Sequence, residues 1–252
     1  ASVPFQMRVP DVYEGSPTPV TAFLSVASKA AGFAVILRVF YIAFSADILI
    51  VEWGAIFAIL SVLSMTFGNL VAIRQDNIKR LLAYSSIGHV GYLLVGITAL
   101  AAVGSDGTVS VQLSHLASNG LMLHLVAYAV TNLAAFFAII AISSRTGSDM
   151  ISSFAGMGRR APYLAAVLAF ALISLTGVPP TVGFMAKIYI FGAAVNSGLT
   201  WLVVVGVLNS VVSAYYYLRV IKVMYLSPPV NEEPVGSGLY LQLAVMGTFA
   251  GT

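Results

Sequence analysis

The chain has 252 residues, of which 59% are hydrophobic and only 8% are charged. Soluble globular domains average roughly 45–50% apolar and about 25% charged residues, and disordered chains are polar, so both classes are excluded. The net charge of +3 rests on too few cations to indicate nucleic-acid binding, which needs clustered positive charge. Without cysteine the chain cannot form disulfides, thiolate metal sites or iron–sulfur clusters. This composition is typical of a polytopic membrane protein.

Long stretches almost without charge predict a single all-α transmembrane domain. The predicted spans are 19–44, 51–73, 80–104, 119–143, 162–196, 199–225 and a truncated seventh at 238–252. The stretch 162–196 is too long for one straight span of a roughly 30 Å core, and its Gly177-Val178-Pro179-Pro180 segment predicts a broken helix. We expect the chain to be a fragment of a longer protein, in which residues 1–18 form a helix end and a loop.

Positive charge alternates between the predicted loops. The loops at 74–80, 145–160 and 219–233 carry Arg and Lys, whereas the loops between them carry neither. The positive-inside rule therefore places these three basic loops, together with the first loop, on the cytoplasmic side. An incorrect number of spans would have broken the alternation.

Two lysines, Lys29 and Lys187, lie near the middle of predicted spans. A lysine at this depth costs about 2.5–3.5 kcal/mol on insertion scales, and intramembrane ionisable residues commonly mark ion or proton pathways. The alternative is a structural lysine paired with a carboxylate. No Asp or Glu of this sequence lies at comparable depth, so such a partner would have to come from sequence beyond this chain or from another subunit. We therefore predict that both lysines exchange protons.

Small and polar residues at helical spacing are expected to share a face with Lys29, namely Thr21, Ser25 and Gly32. A stripe of this kind suits the interior of a membrane helix bundle. Ser25 is the member we predict to support the lysine directly.

Two histidines are predicted to continue the polar line. His89 lies within one span, and His124, Tyr128 and Asn132 form an i, i+4, i+8 stripe on the next. A neutral imidazole accepts a proton on one nitrogen and releases it from the other, which suits a relay. A satisfied structural histidine explains each position equally well. His115 lies close to a loop and is expected at the membrane interface.

Polar residues also mark the span at 199–225. The run Tyr215-Tyr216-Tyr217 beside Arg219 predicts an interfacial aromatic belt. Asn209, Ser213 and Tyr216 are polar positions that hydrogen bonds between helices explain equally well. The sequence contains no metal motif, phosphate-binding loop or catalytic triad. We expect no metal and no cofactor in this chain, and no residue that could carry electrons.

Four longer segments carry a family resemblance. They are residues 9–20 (VPDVYEGSPTPV) with Ser28-Lys29, residues 77–92 (NIKRLLAYSSIGHVGY), residues 177–180 (GVPP) with 183–187 (GFMAK), and residues 210–218 (SVVSAYYYL). Together they resemble the C-terminal half of the antiporter-like membrane subunits of the subunit N type (the ND-two type) in proton-pumping NADH:quinone oxidoreductase, complex I.

The resemblance implies a fourteen-helix subunit built from two inverted five-helix repeats, of which this chain would be the end of helix seven to the start of helix fourteen. The family's central-axis lysines on helix eight and broken helix twelve correspond to Lys29 and Lys187. Its helix-seven lysine and helix-five glutamate would precede Ala1. His124 stands where this subunit type has tyrosine and a related antiporter-like subunit has histidine.

The resemblance further implies a non-redox subunit that moves protons through Lys29, the two mid-span histidines and Lys187, coupled to quinone reduction elsewhere in the complex. NADH, flavin, iron–sulfur clusters and quinone would bind other subunits, and neighbouring antiporter-like subunits would be its partners in the bacterial plasma membrane. Two alternatives are a subunit of a multi-subunit cation/proton antiporter with no link to an oxidoreductase, and a passive structural fragment.

Overall fold

The computed structural model describes residues 2–43, 47–101, 111–229 and 247, with side chains over 2–40, 53–101 and 116–229 and at 247. Regular structure in these parts is helical, apart from one isolated antiparallel bridge between Asn77 and Met150, so the all-α prediction is confirmed. Apart from residue 247, the predicted span at 238–252 lies outside the described residues.

The described chain forms nine α-helices with two short helical segments between them. They are α1 (Val9–Gly15), α2 (Thr18–Ile36) with a π-helical extension (Leu37–Ala43), α3 (Asp47–Ala72), α4 (Ile78–Leu100), α5 (Val111–Thr146), a 3₁₀ turn (Ile151–Phe154), α6 (Met157–Arg160), α7 (Pro162–Thr176), α8 (Val182–Asn196) and α9 (Thr200–Leu226). The helix α1 occupies a stretch that we expected to be a loop, and it buries Pro10 and Tyr13.

Five described helical segments are long and apolar enough to cross a membrane. They are Thr18–Phe40, Trp53–Ala72, Ile78–Leu100, Leu116–Thr146 and Thr200–Leu226. The helix α4 is buried along nearly its whole length between α3, α5, α8 and α9, whereas α2 and α9 leave most of their apolar surface exposed. Polar side chains on α4 therefore lie inside the bundle.

The apolar tract 162–196 consists of α7 and α8, separated by residues 177–181. Gly177 ends α7 in the left-handed conformation (φ 85°), and its N–H donates to the carbonyls of Ile173 and Ser174. Pro179 and Pro180 follow, and neither can donate a backbone hydrogen bond to continue the helix. The sequence at the break thus stops one helix and allows another to begin.

The basic segments 74–80 and 145–160 and the residue Arg219 meet at one end of the bundle. Lys79 forms an ion pair with Asp149 (Nζ–Oδ2, 3.1 Å), and the 74–80 and 145–160 segments also exchange backbone hydrogen bonds. Arg219 binds Asp76 at 2.6 Å and donates to backbone carbonyls at the end of α3. The short α1 joins them, because Arg80 binds both of its carboxylates.

The prediction of an interfacial tyrosine belt is wrong for two of its three members. Tyr215 is 62% exposed, but Tyr216 and Tyr217 are buried in the bundle. Successive residues of an α-helix point in directions about 100° apart, so three in a row cannot all face the membrane interface. Tyr217 instead hydrogen-bonds the hydroxyl of Ser85 on α4, and Tyr216 donates to Asn69 Oδ1 on α3 at 2.9 Å, which confirms its predicted hydrogen bond between helices.

Replacement of Gly183 by alanine is expected to destabilise the protein. A Cβ atom there would collide with the carbonyl oxygen of Ser174, where α8 crosses α7. We expect a loss of about 1–3 kcal/mol, which is typical of overpacking, seen as a lower melting temperature of the protein in detergent. Gly192→Ala on the same helix is the control, because nothing lies within 4 Å of a Cβ there. Equal stability of the two variants would contradict the close contact.

Removal of the Asp149 carboxylate is expected to cost more stability than removal of the Asp76 carboxylate. Asp149 pairs with Lys79, whose side chain is 5% exposed, whereas Asp76 is 75% exposed. Asp149→Asn should therefore cost about 1–3 kcal/mol, between the values for exposed and buried pairs, and Asp76→Asn less than about 1 kcal/mol. Thermal melting of both variants measures the difference, and a larger loss for Asp76→Asn would refute the burial argument.

Candidate functional site

Lys29 lies on α2 inside the bundle and is 5% exposed. Its Nζ donates to the Ser25 carbonyl at 2.9 Å, to the Tyr128 hydroxyl at 2.7 Å and to the Ser86 hydroxyl. It also lies 4.3 Å from the centre of the Tyr128 ring, a cation–π arrangement. Among the described side chains, no carboxylate forms an ion pair with Lys29. Neutral oxygens therefore solvate this amine.

Ser25 and Asn132 connect α2 to α5 beside this lysine. The Asn132 amide donates to the Ser25 hydroxyl at 2.6 Å, and the Ser25 hydroxyl donates to the Ala22 carbonyl. The buried stripe of α2 is Thr21, Ser25, Lys29 and Phe33, at intervals of four residues. Gly32 is exposed, so its predicted place on the interior face is wrong.

The two histidines of the predicted line lie next to each other. His89 Nδ1 and His124 Nε2 are 3.5 Å apart, so one ring donates to the other in a suitable pair of tautomers. The His89 ring also lies 5.0 Å from the ring of Tyr128, the residue that contacts Lys29. His124 Nδ1 is buried without a hydrogen-bond partner in the described part of the chain.

Lys187 on α8 is 5% exposed and is held at the helix break. Its Nζ donates to the Thr176 carbonyl at 2.6 Å and to the Ser210 hydroxyl at 3.2 Å. Thr176 is the last residue of α7, so its carbonyl has no partner within the helix and lies at the negative end of the helix dipole. The broken helix thus supplies the acceptor of the shorter of these two hydrogen bonds.

Gly177 leaves the space through which the Lys187 side chain reaches that carbonyl. A Cβ atom at Gly177 would lie 2.9 Å from Cδ and 3.2 Å from Nζ of Lys187. The glycine therefore has two functions, because it also adopts the positive φ that ends α7.

A small cavity joins the histidines to Lys187. Its volume is about 10 Å³, close to the least that holds one water molecule. The lining includes His89, His124, Tyr128, Ser174 and Lys187. All four predicted ionisable residues therefore belong to one buried line that runs from Lys29 through Tyr128 and the histidines to Lys187.

Several partners of the two lysines were not predicted from the sequence. Ser86 lies three residues before His89, a helical spacing that could have shown its position on the same face. Ser210 adjoins Asn209, but its contact with Lys187 has no local signal. The Thr176 carbonyl has none either, because every residue carries that group. The side chain of His115 lies outside the described side chains, so its predicted interfacial position stays a prediction.

Residues 1–213 match the protein family described as NADH:quinone oxidoreductase/Mrp antiporter, TM. The chain is 51% identical over 251 residues to NADH-quinone oxidoreductase subunit N of Dehalococcoides mccartyi, covering 97% of the chain and 49% of that protein. It is 48% identical over 235 residues to NAD(P)H-quinone oxidoreductase subunit 2 of Synechocystis sp., covering 93% and 42%. The chain therefore spans about half the length of these curated relatives.

Solved structures share the fold. A chain of respiratory complex I from Thermus thermophilus is 31% identical with a TM-score of 0.78, covering 99% of this chain and 52% of that one. A chain of the Mrp complex from Dietzia sp. superposes with a TM-score of 0.86 at 20% identity, covering 100% and 52%, and this likeness concerns the fold alone. The antiporter-like fold is thereby confirmed.

Proposed function

Because this chain belongs to the NADH:quinone oxidoreductase/Mrp antiporter membrane family, we propose that it forms part of a non-redox, subunit N-type membrane subunit of NADH:quinone oxidoreductase. The subunit translocates protons, and quinone reduction on other subunits supplies the energy. The observation that carries the proposal is the pair of buried lysines, Lys29 and Lys187, joined by two adjacent histidines and solvated by neutral oxygens.

The contacts support a relay more strongly than a structural role. A structural lysine inside a membrane is normally neutralised by an anion, which would hold it in one charge state. Neutral hydroxyl and carbonyl oxygens stabilise the ammonium but do not hold the lysine in its charged state as an anion would. A nearby change of charge can therefore release its proton. Tyr128 and the two imidazoles then provide groups that both accept and donate hydrogen bonds between the lysines.

The relatives favour an oxidoreductase subunit over a subunit of an independent cation/proton antiporter. Curated proteins named as NADH-quinone oxidoreductase subunit N share 43–51% identity with this chain, for example those of Chlorobium chlorochromatii and Dehalococcoides mccartyi. The solved Mrp chain shares 20%.

Cofactors, partners and orientation follow from the same proposal. NADH, flavin, iron–sulfur clusters and quinone bind other subunits, and neighbouring antiporter-like subunits contact this one in the bilayer. The meeting of segments 74–80, 145–160 and Arg219 at one end supports placing that end on the cytoplasmic side of the bacterial plasma membrane.

Substitution of either lysine by methionine should strongly lower proton transfer through this subunit. Lys29→Met and Lys187→Met in the full-length protein, within the assembled complex in proteoliposomes, are expected to lower proton translocation about tenfold or more, since a positioned acid–base group contributes 10²–10⁴-fold. Lys222→Met is the control, because Lys222 is exposed on the last turns of α9. Wild-type pumping by both variants would leave only the passive structural reading.

Gly177→Ala should impair pumping through Lys187, whereas Gly198→Ala should not. Both glycines have positive φ, 85° and 75°, so both substitutions strain the backbone by roughly 1–2 kcal/mol. Only the Cβ at Gly177 would displace Lys187, because nothing lies within 4 Å of a Cβ at Gly198. Thermal melting and proton translocation are measured for both. Equal pumping by the two variants at equal stability would contradict the link between Gly177 and the lysine.

A further inference from the structure

A second polar cluster adjoins Lys187 and His89. It joins α3, α4 and α9 through interhelical hydrogen bonds, and its members are Thr66, Asn69, Tyr92, Asn209, Ser210 and Tyr216. Asn69, Tyr92 and Tyr216 are each 1% exposed. The proton route proposed above passes through none of these six residues, and only Ser210 among them belongs to the site already described, as a hydroxyl partner of Lys187.

We propose that Asn69 is a positioning residue for Lys187 and acts through Tyr92. Its amide holds the Tyr92 hydroxyl, and Tyr92 in turn holds the lysine ammonium above its ring. This inference rests on the proposed proton-transfer role of Lys187 and adds the group that keeps the amine in place for it.

Tyr92 contacts Lys187, His89 and Ser210. Lys187 Nζ lies 4.6 Å from the centre of its ring, and the ring makes an edge contact with His89 at 5.6 Å. Ser210, the hydroxyl partner of Lys187, donates to the Tyr92 hydroxyl at 3.4 Å. A rotation of the Tyr92 ring would therefore move the face that attracts the ammonium, the hydroxyl beside it and the histidine contact together.

Asn69 fixes the hydroxyl end of that ring. Its Nδ2 donates to the Tyr92 hydroxyl at 3.4 Å and to Asn209 Oδ1 at 3.2 Å, while its Oδ1 accepts from the Tyr216 hydroxyl at 2.9 Å. Both amide hydrogens and the amide oxygen are thus used, and the side chain is bound from α4 and α9 at once. An amide held at all three positions cannot turn without losing hydrogen bonds.

A backbone carbonyl sets the direction of these bonds. Asn209 Nδ2 donates to the Val205 carbonyl at 3.0 Å, and a carbonyl can only accept. Asn209 must therefore present its oxygen to Asn69, which directs the Asn69 NH₂ group toward Tyr92 and its oxygen toward Tyr216. Tyr92 thus receives a donor from α3 whatever the protonation state of Lys187.

Two glycines of α4 allow α3 to pack closely enough for Asn69 to reach Tyr92. A Cβ atom at Gly88 would lie 3.0 Å from Asn69 Oδ1, and one at Gly91 would lie 2.9 Å from the Ser61 carbonyl. Because both positions are glycine, the two helices approach closely and the short amide side chain reaches Tyr92. The groups that face Lys187 are Tyr92 and His89 from α4, His124 and Tyr128 from α5, the Thr176 carbonyl from α7 and Ser210 from α9.

The test compares Asn69→Leu, Tyr92→Phe and the double variant in the complete protein within its assembled complex in proteoliposomes. We expect each single variant to lower proton translocation roughly two- to tenfold, the range of one lost hydrogen bond, because both variants remove the bond between Asn69 and the Tyr92 hydroxyl. Both should shift the pH of half-maximal translocation in the same direction, because each changes the surroundings of Lys187. The double variant should resemble the single ones, since both changes act on the same contact.

Two controls separate positioning from folding. Thr66→Val removes a hydrogen bond to Asn209 in the same cluster but none to Asn69 or Tyr92, and Tyr215→Phe removes an exposed hydroxyl of α9. Both should leave translocation and its pH profile unchanged. If Asn69→Leu fails to assemble, Tyr92→Phe carries the test, because it keeps the ring and its packing.

Lys187→Met separates the two hypotheses. Loss of pumping in Lys187→Met with wild-type rate and pH profile in Tyr92→Phe would overturn the role of Asn69 and leave the proposed function standing. The role of Asn69 would also be overturned if the losses in Asn69→Leu and Tyr92→Phe were equal, added up in the double variant and left the pH profile unchanged. Such losses would indicate a general packing effect. Normal pumping by Lys187→Met would refute the proton-transfer role of Lys187 and the positioning role of Asn69 with it, and the proposed function itself falls if Lys29→Met also pumps normally.

Discussion

The burial of two ammonium groups in an apolar helix bundle is the constraint that shapes the rest of this structure. An unsolvated charge costs several kcal/mol in such surroundings, so each amine needs acceptors that other helices must bring to it. Lys29 on α2 receives hydroxyls from α4 and α5, and Lys187 on α8 receives a carbonyl from α7 and a hydroxyl from α9. The two sites therefore determine how six helices pack.

The helix break between α7 and α8 also helps to solvate a buried ammonium group, that of Lys187. An unbroken helix would satisfy the Thr176 carbonyl internally, whereas the break frees it at the depth where Lys187 needs an acceptor. Two glycines allow the close packing at this break. Gly177 leaves room for the side chain of Lys187, and Gly183 allows α8 to approach α7. Features that weaken a helix locally thus stabilise a charge in the tertiary structure.

Sequence periodicity predicted much of this architecture, and its errors have clear causes. The depth of Lys29 and Lys187 and the stripe His124, Tyr128 and Asn132 followed from counting residues along helices. The tyrosine run was misassigned because aromatic and basic residues together are typical of membrane interfaces. The burial of Tyr216 and Tyr217 is instead decided by the rotation of α9 against α3 and α4, which composition does not record.

By itself, the sequence determined that the chain is a membrane helix bundle, where a helix breaks, and which ionisable residues lie deep within it. These properties depend on local composition and on the fixed rise of the α-helix. Only the tertiary structure decided which groups meet, including the contact between His89 and His124 and the binding of Lys187 to the Thr176 carbonyl. Such contacts depend on how separate helices rotate and approach, and residues far apart in sequence carry no local pattern that records this.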